Sequence, residues 1–393
     1  MENFIYYAPT KVIFGKDAIL SLGKEVSKLE DQKAMIVYGS DRVEKNGILE
    51  TVESELDTWG VEHIRFAGVK ANPTVAHAKE GIKIAKEFSA DIIIAIGGGS
   101  AIDTAKAIAI GAINPGDIWD VWQGKIKVQE ALDVACVLTI PAAGSEMSNS
   151  AVLTNEETMQ KVGLTTNIYR CKFAIMDPTY AESLPKKQIA CGVVDIMMHT
   201  LDRYFSPKIM QHNHMTDAIA HGLLKTVIKW GKIAYDDPTN YEAMSEIMWA
   251  SSLSHNDLTG LGGGRDFSVH QFGHEISAKF DITHGESLSA IWGAWCRYVM
   301  DTDIDRFVLY AKEVWGVTKD GEDGAIEGII KTEEFFKSLD MPIRIPELSC
   351  GILDAKTLEE LAERCTRNGA RKIGTFNPLD TKGVKEVYFL ANC

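Results

Sequence analysis

The sequence predicts a two-domain protein, an α/β domain with a parallel sheet over residues 1–185 followed by an all-α domain over residues 186–393. Three observations lead there. A chain of 393 residues exceeds what a single hydrophobic core usually supports. The first half alternates short β-rich runs with amphipathic stretches, which is the pattern of βαβ units on a parallel sheet. Beyond "LPKKQ" (184–188) the strand signals fade and helical periodicity runs nearly to the end.

The strands are expected at "KAMIVYGS" (33–40), "HIRFAGV" (63–69), "DIIIAIGGGS" (91–100), "ACVLTIP" (135–141) and "FAIMDP" (173–178). Ile, Val and Phe dominate them, and turn residues close several of them. Helices are expected at 43–58, 75–88 and 101–111, where for example Val75, Ala78, Ile82 and Ala85 recur on one face. The stretch "AVLTNEETMQKVGLTT" (151–166) places a polar turn between two β-prone arms and reads as a hairpin. In the second half, helices are expected at 188–205, 212–234, 240–258, 266–279 and 287–300. The cleft between the two domains is the default site.

Composition narrows the partners. With 45% hydrophobic and 24% charged residues the chain is globular, and its formal charge of −14 argues against nucleic acid or an anionic membrane, both of which would repel it. Seven cysteines without a C-x-x-C pair suit reduced thiols, not a disulfide framework or a thiolate zinc site. The N-terminus "MENFIYYAPTKVIFG" lacks the plan of a signal peptide, and no apolar run approaches the roughly 20 residues of a membrane span. A cytoplasmic location is the expectation.

The run "IIIAIGGGSAIDTAKAIAI" (92–110) is a buried strand, three glycines and a serine, then a helix. Glycine allows close approach of backbone to a ligand, and the helix N-terminus offers N–H groups to an anion, with pyrophosphate the expected guest. The spacing is not G-x-G-x-x-G, and the same glycines would equally serve a tight strand-to-helix turn. A second turn, "VYGSDRVEKNG" (37–47), follows the first sheet strand, where doubly wound folds meet the adenosine ribose. Ser40, Asp41 and Arg42 there give a mixed signal: an acid selects the free 2′-hydroxyl, small and basic residues a 2′-phosphate.

Histidines cluster in "SVHQFGHEISAKFDITHGE" (268–286). His270 and His274 are four apart on one helix face, and His284 follows in what reads as the loop after the helix. Earlier, "GVVDIMMHTLDRY" (192–204) sets Asp195 and His199 four apart on an apolar helix, where a buried carboxylate needs a partner. One carboxylate with neutral imidazoles suits Fe(II), Zn²⁺ and their neighbours. Spacing alone leaves open which three histidines bind and which is spare. Trp249 and Trp292 are candidate members of an apolar substrate lining.

These motifs, with "TIPAAGSEMSNSAVLTN" (139–155) and "KFAIMDP" (172–178), resemble the iron-containing (group III) alcohol dehydrogenases, in particular the branch of butanol dehydrogenases and broad-range aldehyde reductases. The resemblance implies a dehydroquinate synthase-like two-domain plan and a metal-dependent interconversion of primary alcohols and aldehydes with NAD(P)H. It implies one divalent ion, Fe(II) or Zn, on Asp195, His199, His270 and His284, with the catalytic His274 beside the nicotinamide. Coenzyme contacts carry over to Gly39, Ser40, Arg42, Asn72, Gly98, Gly99, Ser100, Asp103, Thr139, Ser145, Ser148 and Lys161. Ser40 and Arg42 look like the NADPH-using branch, from which Asp41 departs; Asp202 stands where many relatives have Glu. A homodimer is implied, with "KVIFG" near the N-terminus as a candidate edge. The alternatives are a glycerol-dehydrogenase-like polyol dehydrogenase and a metal-dependent hydrolase.

Overall fold

The computed structural model describes residues 2–29, 32–39, 41–207 and 213–393. The chain divides into two compact units, Tyr7–Ser183, and Leu184–Cys393 together with the segment through Tyr6.

The first unit runs β1 (Lys11–Phe14), α1 (Leu22–Ser27), β2 (Lys33–Tyr38), α2 (Asp41–Lys45), α3 (Ile48–Thr58), β3 (Glu62–Phe66), α4 (Val75–Phe88), β4 (Ile92–Gly97), α5 (Gly99–Ile113), α6 (Ile118–Trp122), β5 (Asp133–Leu138), β6 (Ser150–Asn155), β7 (Gln160–Thr165) and β8 (Phe173–Met176). Six strands form one parallel sheet in the order β1-β8-β5-β4-β2-β3, and β6 pairs antiparallel with β7 as the expected hairpin. Central β4 is buried along its whole length, so it reads as continuous Ile and Ala, whereas the edge strand β1 has no fully buried residue. One face is built from alternate residues Ile36, Ile94, Val137 and Ile175, packed with Leu22, Val26, Leu49, Val52 and Leu56 of α1 and α3. Each such side chain contributes about 1.5–3 kcal/mol by leaving water. The expected helix over 43–58 is two, because Gly47 at φ 74 breaks it, and β1 is a strand that the β-rich runs do not announce.

Helix α5 is buried on nearly all sides and is therefore mostly apolar from Ala101 to Ile110, with Asp103, Thr104 and Lys106 the polar exceptions. It begins at Gly99, two residues earlier than its periodicity implies, because the third glycine of the run is already helical. Its contact with α4 is reciprocal. A Cβ on Gly81 would lie 2.4 Å from Ile108 Cδ1, and one on Gly111 would lie 2.2 Å from Ile82 Cδ1. Each helix thus offers a glycine notch to an isoleucine of the other.

The second unit holds α7 (Lys186–Tyr204), α8 (His214–Asp236), α9 (Tyr241–His255), α10 (Ser268–Phe280), α11 (His284–Val299), α12 (Ile304–Trp315), α13 (Gly321–Ser338), α14 (Ala355–Cys365) and α15 (Thr381–Ala391). Side-chain caps start several of them, such as Asn213 on Thr216 N, Asn240 on Ala243 N and Asp354 on Thr357 N. Helix α7 is its centre, buried without a break from Ile189 to Tyr204. One expectation needs correction. Trp292 is fully buried against Tyr310 and Phe336 and belongs to the core, not to a substrate lining, while Trp249 is partly exposed. The cysteines are free thiols, five of them buried, and no described helix is long and apolar enough to cross a membrane.

The α4–α5 notch gives a direct test of packing. Gly81→Val should cost about 2 kcal/mol in urea unfolding, because the added methyl groups have no room against Ile108 and Phe66. An unchanged midpoint would show that the contact is loose.

Candidate metal centre and coenzyme loops

Asp195, His199 and Asp202 stand at i, i+4 and i+7 of α7, hence on one face of it. His270 comes from the first turn of α10, and His284 is the first residue of α11, not a loop residue as its spacing implied. The first turn of α11 lies directly on α7. A Cβ on Gly285 would come within 2.6 Å of Cys191 Cα and O, so only glycine permits this approach. The approach brings His284 to Asp195.

Three imidazoles face one carboxylate oxygen. Asp195 Oδ1 is 3.4 Å from His199 Nδ1, 3.6 Å from His270 Nε2 and 3.8 Å from His284 Nε2. Asp195, His199 and His270 are buried, and their facing atoms Oδ1, Nδ1 and Nε2 make no hydrogen bond among the described residues. Leaving a buried polar atom unsatisfied costs about 1–3 kcal/mol. A divalent cation among them would satisfy all three at once, and the donor set, one carboxylate with imidazoles, fits Fe(II) or Zn²⁺. His274 stands one turn along α10. Its ring centroid is 6.3 Å from that of His270 and 5.3 Å from that of His284.

Around the ligating face the structure adds roles that the sequence does not announce. Asp202 Oδ2 accepts a hydrogen bond from His270 Nδ1 at 2.6 Å, which fixes the ring and leaves Nε2 to face Asp195. The i+7 spacing from Asp195 was the signal for it. Phe267, which precedes α10, sits at φ 55, a left-handed conformation that costs a bulky residue about 1–3 kcal/mol. Its ring lies 5.2 Å from His270 and 4.9 Å from the Arg203 guanidinium. Asp266 holds this strained entry, accepting from the backbone N–H groups of Ser268, Thr375 and Phe376.

Burial drives His199 well below the ordinary histidine range, so it is neutral and ready to donate a lone pair. Burial also opposes a charge on His270, but the carboxylates of Asp195 and Asp202 outweigh it and raise that group to about 9. Without metal, His270 therefore keeps its proton through neutral pH.

In the other unit, the residues expected to meet a coenzyme gather at the carboxyl ends of β2, β4 and β5, where doubly wound sheets bind ligands. Gly98 precedes α5, and no side chain caps that helix end. A Cβ on Gly98 would lie 2.9 Å from Ile140 Cβ, and one on Gly99 3.0 Å from Ala143 Cβ, so the 139–145 loop rests on the glycine turn. Ser100 Oγ donates to Ala71 O at 2.6 Å, and Lys161 Nζ to Asn72 Oδ1 at 3.0 Å. Asp103 turns inward. Its two oxygens accept from Ser145 Oγ at 2.6 Å and Val152 N at 2.8 Å, so it braces the loop and the hairpin. The fully buried Lys106, which sequence reasoning missed, donates to Ser145 O and Oγ, Ser148 O and Ser150 O. Ser148 Oγ donates to Ser150 O.

Gly39 closes β2 against Val69, whose carbonyl oxygen would lie 2.6 Å from an added Cβ. Ser40 lies outside the described residues. The guanidinium of Arg42, the candidate for a 2′-phosphate, lies among Tyr180, Ser183 and Thr139. Nη1 donates to Tyr180 O at 3.1 Å and Ser183 Oγ at 3.0 Å, and Nη2 to Thr139 O and Oγ1, both at 3.3 Å. Asp41 is exposed, 3.6 Å from Lys45.

The His270 proton sets a pH dependence. A metal ion must displace it from Nε2, so the apparent affinity for Zn²⁺ should rise with pH and level off above about 9. Competition against a chelator over a series of pH values measures this, and a flat profile below pH 9 would contradict it.

A family model described as iron-containing alcohol dehydrogenase matches residues 9–178, and one described as Fe-containing alcohol dehydrogenase family, C-terminal, matches residues 189–391. The chain is 40% identical over 391 residues to NADH-dependent butanol dehydrogenase A of Clostridium acetobutylicum, covering 99% of each chain. It is 31% identical over 392 residues to the NADPH-dependent aldehyde reductase YqhD of Escherichia coli, again covering 99% of each. The solved structure of NADH-dependent butanol dehydrogenase A from Thermotoga maritima matches it with a TM-score of 0.96 at 31% identity, over 100% of this chain and 99% of that one. With family matches across both units, the chain belongs to the iron-containing alcohol dehydrogenase family.

Proposed function

We propose that this protein interconverts small primary alcohols and aldehydes by hydride transfer with a nicotinamide coenzyme, using one divalent metal ion. The observation that carries this reading is the convergence of His199, His270 and His284 on Asp195 Oδ1. These four side chains would hold the ion, and family membership argues for iron, with zinc compatible with the same donors. When bound, such an ion supplies Lewis-acid polarisation of a carbonyl oxygen.

The chain's own residues do the rest. Asp202 keeps His270 in the tautomer that presents Nε2. His274, one helical turn from His270, is the group we assign to orienting the nicotinamide or passing a proton, for which an imidazole is suited. The N-terminus of α5 and the 139–148 loop, held by Lys106 and Asp103, bind the coenzyme phosphates.

For the coenzyme we favour NADH over the NADPH that Ser40 and Arg42 implied. Arg42 is committed to Thr139, Tyr180 and Ser183, while the exposed Asp41 carboxylate beside the strand end would repel a 2′-phosphate. The similarity to NADH-dependent butanol dehydrogenases supports the same choice. The outer edge of β1, the last strand of the sheet, is the contact we assign to a second copy in a homodimer.

Metal-reconstituted protein should oxidise NADH with butyraldehyde, followed by loss of nicotinamide absorbance, with kcat/KM at least about fivefold above that for NADPH. His270→Ala should lose both metal and turnover, whereas His274→Ala should keep its metal and turn over slowly. No oxidation with any divalent metal would sink the redox reading. Equal metal loss in both variants would sink the ligand assignment.

A further inference from the structure

The two buried imidazoles of the metal centre are held by different means. His270 is oriented by a hydrogen bond, its Nδ1 donating to Asp202. Among the described residues no matching hydrogen bond orients the His199 ring. Its Nδ1 faces Asp195 without a hydrogen bond, and the Arg203 bond of 2.8 Å goes to its backbone carbonyl, not to its ring. The last torsion of a histidine side chain is broad, so an imidazole that must aim at a metal needs something to fix its plane.

What surrounds the His199 ring is aromatic. The His255 ring stands edge-on to it, with centroids 3.9 Å apart and planes at 85°. The Phe267 ring is farther, 6.4 Å away at 56°. We infer that His255 is a positioning residue of the metal centre, its ring holding the His199 imidazole toward Asp195. The inference rests on the metal-binding reading above.

His255 is itself well placed for this. It ends α9, and the turn after it is pinned, with Asn256 Oδ1 accepting from Leu258 N at 3.1 Å. Gly260, farther along that turn, lies on Arg203, whose side chain would meet an added Cβ at 3.0 Å. The segment 255–260 therefore lies along the two successive turns of α7 that carry His199 and Arg203. An ordinary packing histidine would affect stability alone. A ring that orients a ligand also affects how the metal is held.

Cobalt(II) titration of the metal-free protein separates the two, because its d–d absorption reports ligand geometry. His255→Ala should bind Co(II) about tenfold more weakly, with shifted d–d bands, and His255→Phe, which keeps a ring, should stay near wild type in both. Should His255→Ala not fold, His255→Leu takes its place with the same expected result. Wild-type affinity and spectrum in the ringless variant would overturn the proposal, as would an equal loss in His255→Phe. Wild-type protein without d–d bands would instead overturn the metal reading beneath it.

Discussion

A buried carboxylate oxygen, Asp195 Oδ1, with three imidazoles turned toward it, is the constraint around which the helical unit is organised. Such a group is costly to bury without a cation to face, and removing one partner of a buried charged set commonly costs 3–5 kcal/mol (roughly). Several local features of the fold help to assemble it. Gly285 lets α11 reach α7, Asp202 aims His270, and Phe267 accepts a left-handed backbone at the mouth of α10. Strain of that kind persists where the surroundings over-determine it, and here the bonds of Asp266 to three backbone N–H groups supply the restraint.

The sheet unit solves a different problem. The 139–148 loop, which we propose meets the coenzyme, carries many backbone polar groups that need partners if it is to be held still. Lys106 and Asp103, both on α5, answer this by turning inward and binding the loop from beneath. Burial makes charge on either group costly, lowering the lysine and raising the carboxylate, so the oxygens and N–H groups around them are required to hold them in place. The helix whose N-terminus no side chain caps is thus also the helix that fixes the loop beside it.

Much of this was legible in the residues. Buried parallel strands announce themselves as runs such as "IIIAIG", and the i,i+4 pair of Asp195 and His199 on an apolar helix has few structural explanations. Less legible was anything decided by contacts across the fold. His284 reads as a loop residue because Asp281 to Thr283 interrupts the periodicity, yet α11 begins on it. Arg42 carries the right charge for a phosphate, but its reach to Thr139, Tyr180 and Ser183 joins positions about a hundred residues apart or more. His255 offers no spacing signal, since its partner lies on another helix. Trp292 illustrates the converse, a large aromatic that looked available and is core.

X-ray absorption at the zinc edge of zinc-loaded protein tests the central claim most directly. The account predicts a shell of nitrogen and oxygen donors at about 2.0–2.2 Å with the multiple-scattering signature of several imidazoles. A sulfur donor at about 2.3 Å, or a shell without imidazole, would contradict it.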